Sequence, residues 1–323
     1  KVLMYDTKFA TPVSKSEVTM DNDAYQTVTD PSAYVKFRLG DSFSLAVASS
    51  DSTASSLSRT SSKMASLNDG GGDESVYFLA WTTTPWTLPA NMALAVNPEM
   101  EYCAVRVTSS LSEPEAATEQ SELLILAKSR LEIVLGGVEY EIVKDGIRGG
   151  SLVGLTYEPI CGIIDKEAKL KNTWSVLGGD FVGDSEGTGV VHLAPAYGED
   201  DYKICQEEGV DFLDVLNEYG YYLPEVAEVL HVLGVKDTDE RGIEIWAGNK
   251  FIAKCLEERG IVWKIEYIKH EYPFNPRSKQ RIIYRAFPSW FFDVQGQKEL
   301  MLEQNENINW FPSYLKHGRF AKY

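Results

Sequence analysis

The chain has 323 residues, of which 44% are hydrophobic and 24% charged, so it can bury a core in water. The formal net charge is −17, which argues against a general affinity for nucleic acid, because phosphate binding requires clustered lysine and arginine. The chain contains no apolar run of about 20 residues and no signal peptide, so we expect no membrane contact. The four cysteines are far apart, as is typical of reduced thiols in a cytoplasmic protein.

Short runs rich in Val, Ile, Tyr and Phe recur along the chain and predict β-strands. Helical periodicity that stops at a glycine predicts helices at residues 199–208 and 249–259. A weaker helical pattern predicts a third helix at 128–135. Because strands dominate, we predict a mainly β (α+β) fold with peripheral helices, closed like a barrel so that no strand edge is exposed. The predicted strands are 33–39, 76–81, 101–107, 122–126, 138–143, 189–193 and 282–286.

Residues 49–75 interrupt this pattern, since they are mostly Ser, Thr, Gly and Asp with hardly any bulky apolar side chain. Such a segment cannot bury enough surface to offset its ordering entropy, which predicts a flexible insertion between two strands. The chain opens on Lys1 in what reads as the middle of a fold. We therefore expect residues 1–323 to be a single domain excised from a longer protein, with 1–40 and 280–323 as connecting strands.

The first polar motif, WTTTPWTLPAN, occupies residues 81–91 and follows an apolar strand. Pro85 and Pro89 end the strand and fix a loop, since proline has no N–H to give to a sheet. The row of threonines offers hydroxyl groups that both donate and accept hydrogen bonds, which suits a polar substrate and an ordered water. Three threonines alone are typical of a turn that caps a strand, whereas the whole string favours a functional site.

The second motif, GTGVVHLAPAYGEDDY, occupies residues 187–202. It predicts a buried strand up to His192 and a helix that starts near Gly198 with the acidic run 199–201 in its first turn. Carboxylates there can stabilise the helix dipole or cap free N–H groups, which is the purely structural interpretation. In the functional interpretation one of them faces a pocket and binds a substrate ammonium group. A lone histidine is more often structural than catalytic.

Residues 264–285 interleave basic and aromatic side chains. A segment of this composition is most often a solvated surface, yet with a net charge of −17 any RNA contact has to be local. We predict Arg277, Lys279 and Arg281 as the RNA-binding residues. The cysteines and histidines have no metal-ligand spacing, so the sequence predicts neither a metal site nor a cofactor.

Together the two polar motifs resemble the class I aminoacyl-tRNA synthetases that carry an inserted editing domain, and among these the isoleucyl enzymes. The valyl and leucyl enzymes have an arginine where this chain has Thr84, and they usually lack the histidine of the second motif. The resemblance extends to residues 11–39, 150–159, 270–290 and 308–310. It implies an editing domain of the eukaryotic cytosolic type. The two ATP-binding motifs of the class, of HIGH and KMSKS type, are missing.

The resemblance implies hydrolysis of tRNA(Ile) mischarged with valine by a positioned water, with valyl-adenylate as a further candidate substrate. A synthetic site that accepts isoleucine admits the smaller valine, so a second site has to remove the error. The partners implied are the acceptor end of tRNA(Ile) carrying valine and the missing catalytic domain in the same chain. Without that domain we expect no aminoacylation.

The roles implied by the resemblance fall on the two motifs. Asp201 binds the amino group of the aminoacyl moiety, and His192 contacts the ribose or the amino acid. Thr82, Thr83 and Thr84 hold the ester and the water. Substrate-binding positions that shape or support the small pocket are Trp81, Trp86, Thr87 and Asn91.

Three other functions remain open at this point. The first is a catalytically inactive module that binds tRNA or another protein, although Thr83, Thr84 and Asp201 occur together as an active site requires. The second is a general esterase or peptidase, which the absence of a GxSxG nucleophile motif disfavours. The third is the editing domain of a valyl- or leucyl-type synthetase, which the missing arginine disfavours.

Overall fold

The computed structural model describes residues 1–19, 24–40, 75–107, 122–161 and 170–318. The insertion predicted at 49–75 lies outside these ranges except for Ser75. The chain divides into two compact units, Lys1–Phe287 and Pro288–Tyr323, and the single excised domain stays a prediction. Among the described residues no helix has the length and apolar character needed to cross a membrane.

The predicted strands and helices are all present, most with ends within a few residues of those expected from the sequence. The strands are β1 (Val2–Asp6), β2 (Thr11–Pro12), β3 (Tyr25–Arg38), β4 (Ser75–Thr82), β5 (Ala93–Val96), β6 (Glu101–Val107), β7 (Glu122–Ala127), β8 (Tyr140–Arg148), β9 (Ser175–Gly178), β10 (Val190–Leu193), β11 (Val262–Pro273) and β12 (Ile282–Ala286). The α-helices are α1 (Leu131–Val134), α2 (Glu199–Glu207), α3 (Pro224–Val232), α4 (Ile245–Glu258), α5 (Lys298–Asn305) and α6 (Leu315–Gly318).

The largest sheet has six strands in the order β11-β3-β4-β7-β6-β8, antiparallel except for the parallel pair β4–β7. The barrel prediction is wrong, because its outer strands do not pair with each other and no sheet closes within the described ranges. Both outer strands carry charged side chains at exposed positions. Such charges protect an open sheet edge against unwanted pairing, so closure is not required.

Strand β4 is buried on both faces, which explains why its sequence is a continuous apolar run. Its residues alternate between two cores, since successive side chains of a strand point to opposite faces. Phe78 and Ala80 pack into the main core, whereas Leu79 and the flanking Tyr77 and Trp81 pack with a second cluster. The packing of the strand on both faces therefore fixes the position of the threonines at its end, at the edge of the core.

Two three-stranded sheets complete the first unit. In the order β10-β5-β9, strand β10 pairs antiparallel with β5, and His192 lies opposite Leu94. In the order β12-β1-β2, strand β1 pairs antiparallel with β12, from Val2 opposite Ala286 to Asp6 opposite Ile282. The chain segments before and after the body of this unit thus run side by side.

The connecting segment predicted at 280–323 is not a strand throughout. Its only strand among the described residues is β12, and the second unit contains the short helices α5 and α6. Within that unit the Trp310 indole N–H donates to Asn305 Oδ1 at 2.8 Å, which joins the end of α5 to the following turn.

Candidate active site

The two polar motifs meet at a cleft of about 370 Å³ between the end of β4, strand β10 and the first turn of α2. The predicted site residues that line it are Trp81, Thr82, Thr83, Thr84, Thr87, His192 and Asp201. Its charged lining residues are Asp201 and Glu186. Both are acidic, so the field in the cleft attracts a cation.

The threonines are held by hydrogen bonds among themselves at the start of a 3-10 helix, Pro85–Ala90. The backbone N–H of Thr84 donates to Thr82 Oγ1 at 3.1 Å, and the Thr87 hydroxyl donates to the Thr84 carbonyl at 2.8 Å. The Thr84 and Thr87 hydroxyl oxygens are 3.3 Å apart. With Pro85 and Pro89 fixing the backbone of the 3-10 helix, the hydroxyl groups present a rigid polar row to the cleft.

A buried polar chain runs from the core to this row through His192. The Tyr157 hydroxyl donates to Asn91 Oδ1 at 2.6 Å, and Asn91 Nδ2 lies 2.8 Å from His192 Nδ1. His192 Nε2 in turn lies 2.9 Å from Thr87 Oγ1. Asn91 Nδ2 also donates to the Ala93 carbonyl at 3.0 Å, which fixes the orientation of the amide.

That amide orientation determines the protonation of His192. Because Asn91 Nδ2 is a donor, His192 Nδ1 is the acceptor, so the ring proton lies on Nε2 and is donated to Thr87. Burial lowers the pKa of His192 to about 4, so the ring is neutral at pH 7. Both ring nitrogens are bonded to protein groups. His192 thus positions Thr87 and offers the cleft its ring surface, and its predicted contact with the ribose or the amino acid stays a prediction.

Asp201 joins the end of β10 to α2. Its Oδ2 accepts the backbone N–H of Ala194 at 2.8 Å. The residue at the N-cap of α2 is Gly198, so Asp201 lies in the first turn but is not the N-cap. Burial raises the pKa of Asp201 to about 6, which hydrogen bonds from Ala194 and from its own backbone N–H oppose. A carboxylate has more acceptor sites than these two bonds use, so it can also bind a cation.

Two predicted site residues lie behind the cleft wall. Trp86 is 3% exposed, and its backbone is held from two sides, by Asn249 Oδ1 at 2.9 Å and by the Tyr222 hydroxyl at 2.6 Å. Asn91 is 5% exposed and acts on the cleft through His192. Both side chains support the threonine row from behind and do not line the cleft.

Sequence reasoning missed one wall of the cleft. Phe181, Gly183, Ser185 and Glu186 line it, just before the second motif, whose residues from Gly187 onward continue the wall. The segment 183–187 is neither helix nor strand, and Arg130 binds three of its carbonyl groups. Nothing in the sequence around Arg130 indicates this contact, because the two segments are more than fifty residues apart.

The three predicted RNA-binding residues have different surroundings. Arg277 is exposed and pairs with Glu17 at 2.6 Å. Lys279 lies in a turn with a φ of 59°. Arg281 is largely covered: it pairs with Asp30 at 2.8 Å, and its guanidinium carbon is 5.0 Å from the ring centre of Trp246. Arg281 is thus part of the packing, in contrast to Arg277.

Comparison with known proteins finds relatives along the whole chain. Over 323 residues, 100% of the chain, it is 32% identical to the isoleucine–tRNA ligase of Clostridium tetani and covers 25% of that protein. The identity is 34% to the Bacillus thuringiensis (strain Al Hakam) ligase, of which it also covers 25%. It is 35% identical to the Chlamydia trachomatis serovar D ligase and covers 26%. The chain spans about a quarter of the length of these curated relatives.

Among solved structures, the editing domain of the P. knowlesi cytosolic leucyl-tRNA synthetase is similar with a TM-score of 0.46 and 12% sequence identity, covering 77% of this chain and 98% of that one. The structure described as GlLeuRS-CP1 gives a TM-score of 0.42 and 14% identity, covering 73% and 98%. The chain matches no family model.

Proposed function

The chain is homologous over its whole length to a segment of the isoleucine–tRNA ligases, and we propose that this segment is their editing domain. Its reaction is hydrolysis of the ester that links valine to a mischarged tRNA(Ile). The observation that carries the proposal is the convergence of the threonine row and Asp201 on one cleft. These groups belong to two different motifs and lie more than a hundred residues apart in the sequence.

Asp201 supplies recognition of the substrate's charge. Every aminoacyl ester has a free α-ammonium group, and the charged side chains that line the cleft are both acidic. A hydrogen bond from an ammonium group to a carboxylate is stronger than one between neutral groups. The bond from Ala194 fixes where the carboxylate lies, so the ammonium group is held at a defined place relative to the threonines.

The threonine row supplies positioning of the ester and the attacking water. An aminoacyl ester is already activated, so orientation contributes more than a strong nucleophile does. His192 is neutral, and its ring nitrogens are bonded to Thr87 and Asn91, so it does not take the proton of the water. We assign proton removal to the solvent, or to the neighbouring ribose hydroxyl of the substrate, which accepts the proton of the water while it passes its own proton to the leaving ribose oxygen.

The walls of the cleft select the substrate by the size of its amino acid side chain. Buried apolar side chains of the lining include Val190 and Tyr197, and packed walls of this kind resist an additional methylene. Valine is therefore admitted and isoleucine excluded. Valyl-adenylate carries the same ammonium group and the same side chain, so it is a second substrate of the proposed site.

The proposal extends to the partners. The acceptor end of tRNA(Ile) brings the aminoacyl group to the cleft, and the remaining three quarters of the synthetase supply amino acid activation in the same chain. The adjacent strands β1 and β12 suit a domain inserted into another, because they bring the two connections together. Absence of aminoacylation by this segment, a cytoplasmic location and the eukaryotic type remain predictions.

Deacylation assays test the function. The chain is incubated with Val-tRNA(Ile) and, separately, with Ile-tRNA(Ile), and the loss of the amino acid is followed over time. We expect hydrolysis of the valyl ester well above its spontaneous rate and little effect on the isoleucyl ester. Thr83→Val with Thr84→Val serves as a variant that keeps side-chain volume and removes the hydroxyls. Equal hydrolysis by this variant, or none by the unaltered chain, contradicts the proposal.

A further inference from the structure

One buried arginine binds three carbonyl groups of residues 184–187, two of them on residues that line the cleft. Arg130 Nε donates to the Gly187 carbonyl at 2.9 Å, and Nη1 donates to the carbonyls of Asp184 and Ser185, each at 3.2 Å. Arg130 is 9% exposed and ends the 3-10 helix Lys128–Arg130, which follows β7. The guanidinium thus replaces the regular hydrogen bonds that this irregular segment lacks.

The wall lies directly against the start of the threonine motif. A Cβ atom on Gly187 would be 3.2 Å from the indole ring of Trp81, and the φ of Gly187 is 66°. On the other side the Ala127 N–H donates to the Thr188 carbonyl at 2.8 Å. A shift of the 184–187 segment would therefore change the width of the cleft beside Trp81.

We propose that Arg130 is a positioning residue that sets the width of the cleft and so the size of the acyl group admitted. The inference rests on the proposed editing function and deepens it. The planar guanidinium donates hydrogen bonds from two different nitrogen atoms, Nε and Nη1, in fixed directions. The single ammonium group of a lysine cannot reproduce this arrangement. An Arg130→Lys protein keeps the charge but loses part of the three-carbonyl contact, so the wall is held less firmly.

The test compares Arg130→Lys with Arg148→Lys. Arg148 is an exposed arginine that donates to the Glu99 carbonyl at 3.2 Å and does not line the cleft, so it is a matched control. Amide hydrogen exchange is measured on the peptide that covers residues 183–189, together with the melting temperature. For Arg130→Lys we expect exchange in this peptide at least about tenfold faster than in the control, with a small change in melting temperature.

Deacylation of Val-tRNA(Ile) and Ile-tRNA(Ile) gives the second readout. In Arg130→Lys the ratio of kcat/KM for the valyl over the isoleucyl ester is expected to fall about tenfold or more, because small displacements of a wall have large effects on rate. A purely structural role would lower both rates together and leave the ratio unchanged. Unchanged exchange overturns the inference, and so does faster exchange with an unchanged ratio. If the unaltered chain hydrolyses neither ester, the proposed function fails, and the exchange measurement alone decides whether Arg130 holds the wall.

Discussion

Asp201 is held in a place that favours its neutral form, although the proposed reaction needs its charged form. Its folded pKa of about 6 lies above the ordinary value of 3.8. A raised carboxyl pKa contributes stability that is complete below about pH 4 and is lost as the pH rises through 6. At about 1.4 kcal/mol per pKa unit, ionisation at pH 7 costs about 3 kcal/mol. Retention of such a group is typical of a binding site.

Asp201→Asn separates stability from activity. Asparagine can still accept the Ala194 N–H through Oδ1 but carries no charge. At pH 7 we expect the free energy of unfolding to rise by about 1–3 kcal/mol, and at pH 4 to change little. Deacylation of Val-tRNA(Ile) should fall about 100-fold, since the ester loses its anchor. Denaturant unfolding and deacylation are measured on the same preparation; a variant that is less stable at pH 7 and fully active would show a structural role.

The same carboxyl group predicts the pH dependence of the reaction. The ionised form of Asp201 binds the ammonium group, so kcat/KM should rise about tenfold per pH unit below 6 and level off above it. The assay covers pH 4.5–7.5, with spontaneous ester hydrolysis subtracted at each pH. Asp201→Asn should show no inflection near pH 6, and an identical inflection in both proteins would assign it to another group.

Gly198 keeps space for the Asp201 carboxylate. Its φ of −133° and ψ of 136° are extended, so alanine there introduces no backbone strain. A Cβ atom would nevertheless lie 2.5 Å from Asp201 Cγ. We expect Gly198→Ala to displace the carboxylate and lower kcat/KM by about 10- to 100-fold. The control is Gly150→Ala, whose Cβ would meet nothing nearer than 3.7 Å; equal kcat/KM values for both variants would refute the steric argument.

At the scale of single residues, the sequence was informative where a motif is contiguous. The threonines and Asp201 lie in two strings whose residue types already indicate a polar cleft. The distinction between lining and supporting residues was not predictable, because Trp86 and Asn91 belong to the same string yet point into the core. Arg130 has no local signal at all, since its role depends on a contact across the fold.

At the scale of elements, apolar periodicity located the buried strands well, because burial on one or both faces determines their sequence. Strand β4 and helix α2 begin and end close to the predicted residues. Strand β11 was not among the predicted strands, because its residues fall in the segment 264–285, whose composition indicates a solvated surface with a local RNA contact. The exposed residues of this edge strand are Tyr267, Lys269 and Glu271, and such outward charges are compatible with either interpretation. Barrel closure was not predictable from strand content, since it depends on which edges pair.

The turn between β11 and β12 contains a covered cation, Arg281, and an exposed one, Lys279. Mutation distinguishes their roles. Arg281 contacts Asp30, Trp246 and, with 5.7 Å to the ring centre, Tyr272. Removing one partner of a covered ion pair leaves the other unpaired, so Arg281→Gln should cost about 2–4 kcal/mol of unfolding free energy. Lys279→Gln should change it by less than about 0.5 kcal/mol. Thermal melting measures both, and equal stability of the two variants would return Arg281 to the RNA-binding surface.

For the whole molecule, the acidic balance restricts how tRNA can approach. With a net charge of −17 and two acidic residues lining the cleft, the phosphates of a bound RNA are repelled from the cleft itself. The aminoacyl group carries the positive charge that the cleft attracts. We therefore expect the terminal ester to enter the cleft, while the phosphates contact a separate basic surface.

The salt dependence of tRNA binding tests the composition of that surface. Each phosphate contact makes the logarithm of the binding constant fall with the logarithm of salt concentration by about 0.7–0.9. Replacing Arg277 or Lys279 by glutamine should therefore flatten the slope by about one. Arg281→Gln should leave the slope unchanged, because Arg281 is largely covered and cannot reach a phosphate as the exposed Arg277 can. Glu17 pairs with Arg277, so Glu17→Gln should free the guanidinium and strengthen binding. Fluorescence anisotropy of labelled tRNA(Ile) between about 50 and 200 mM salt gives the slopes. If the Arg277 and Lys279 variants keep the slope of the unaltered chain, the phosphates bind another surface of the molecule.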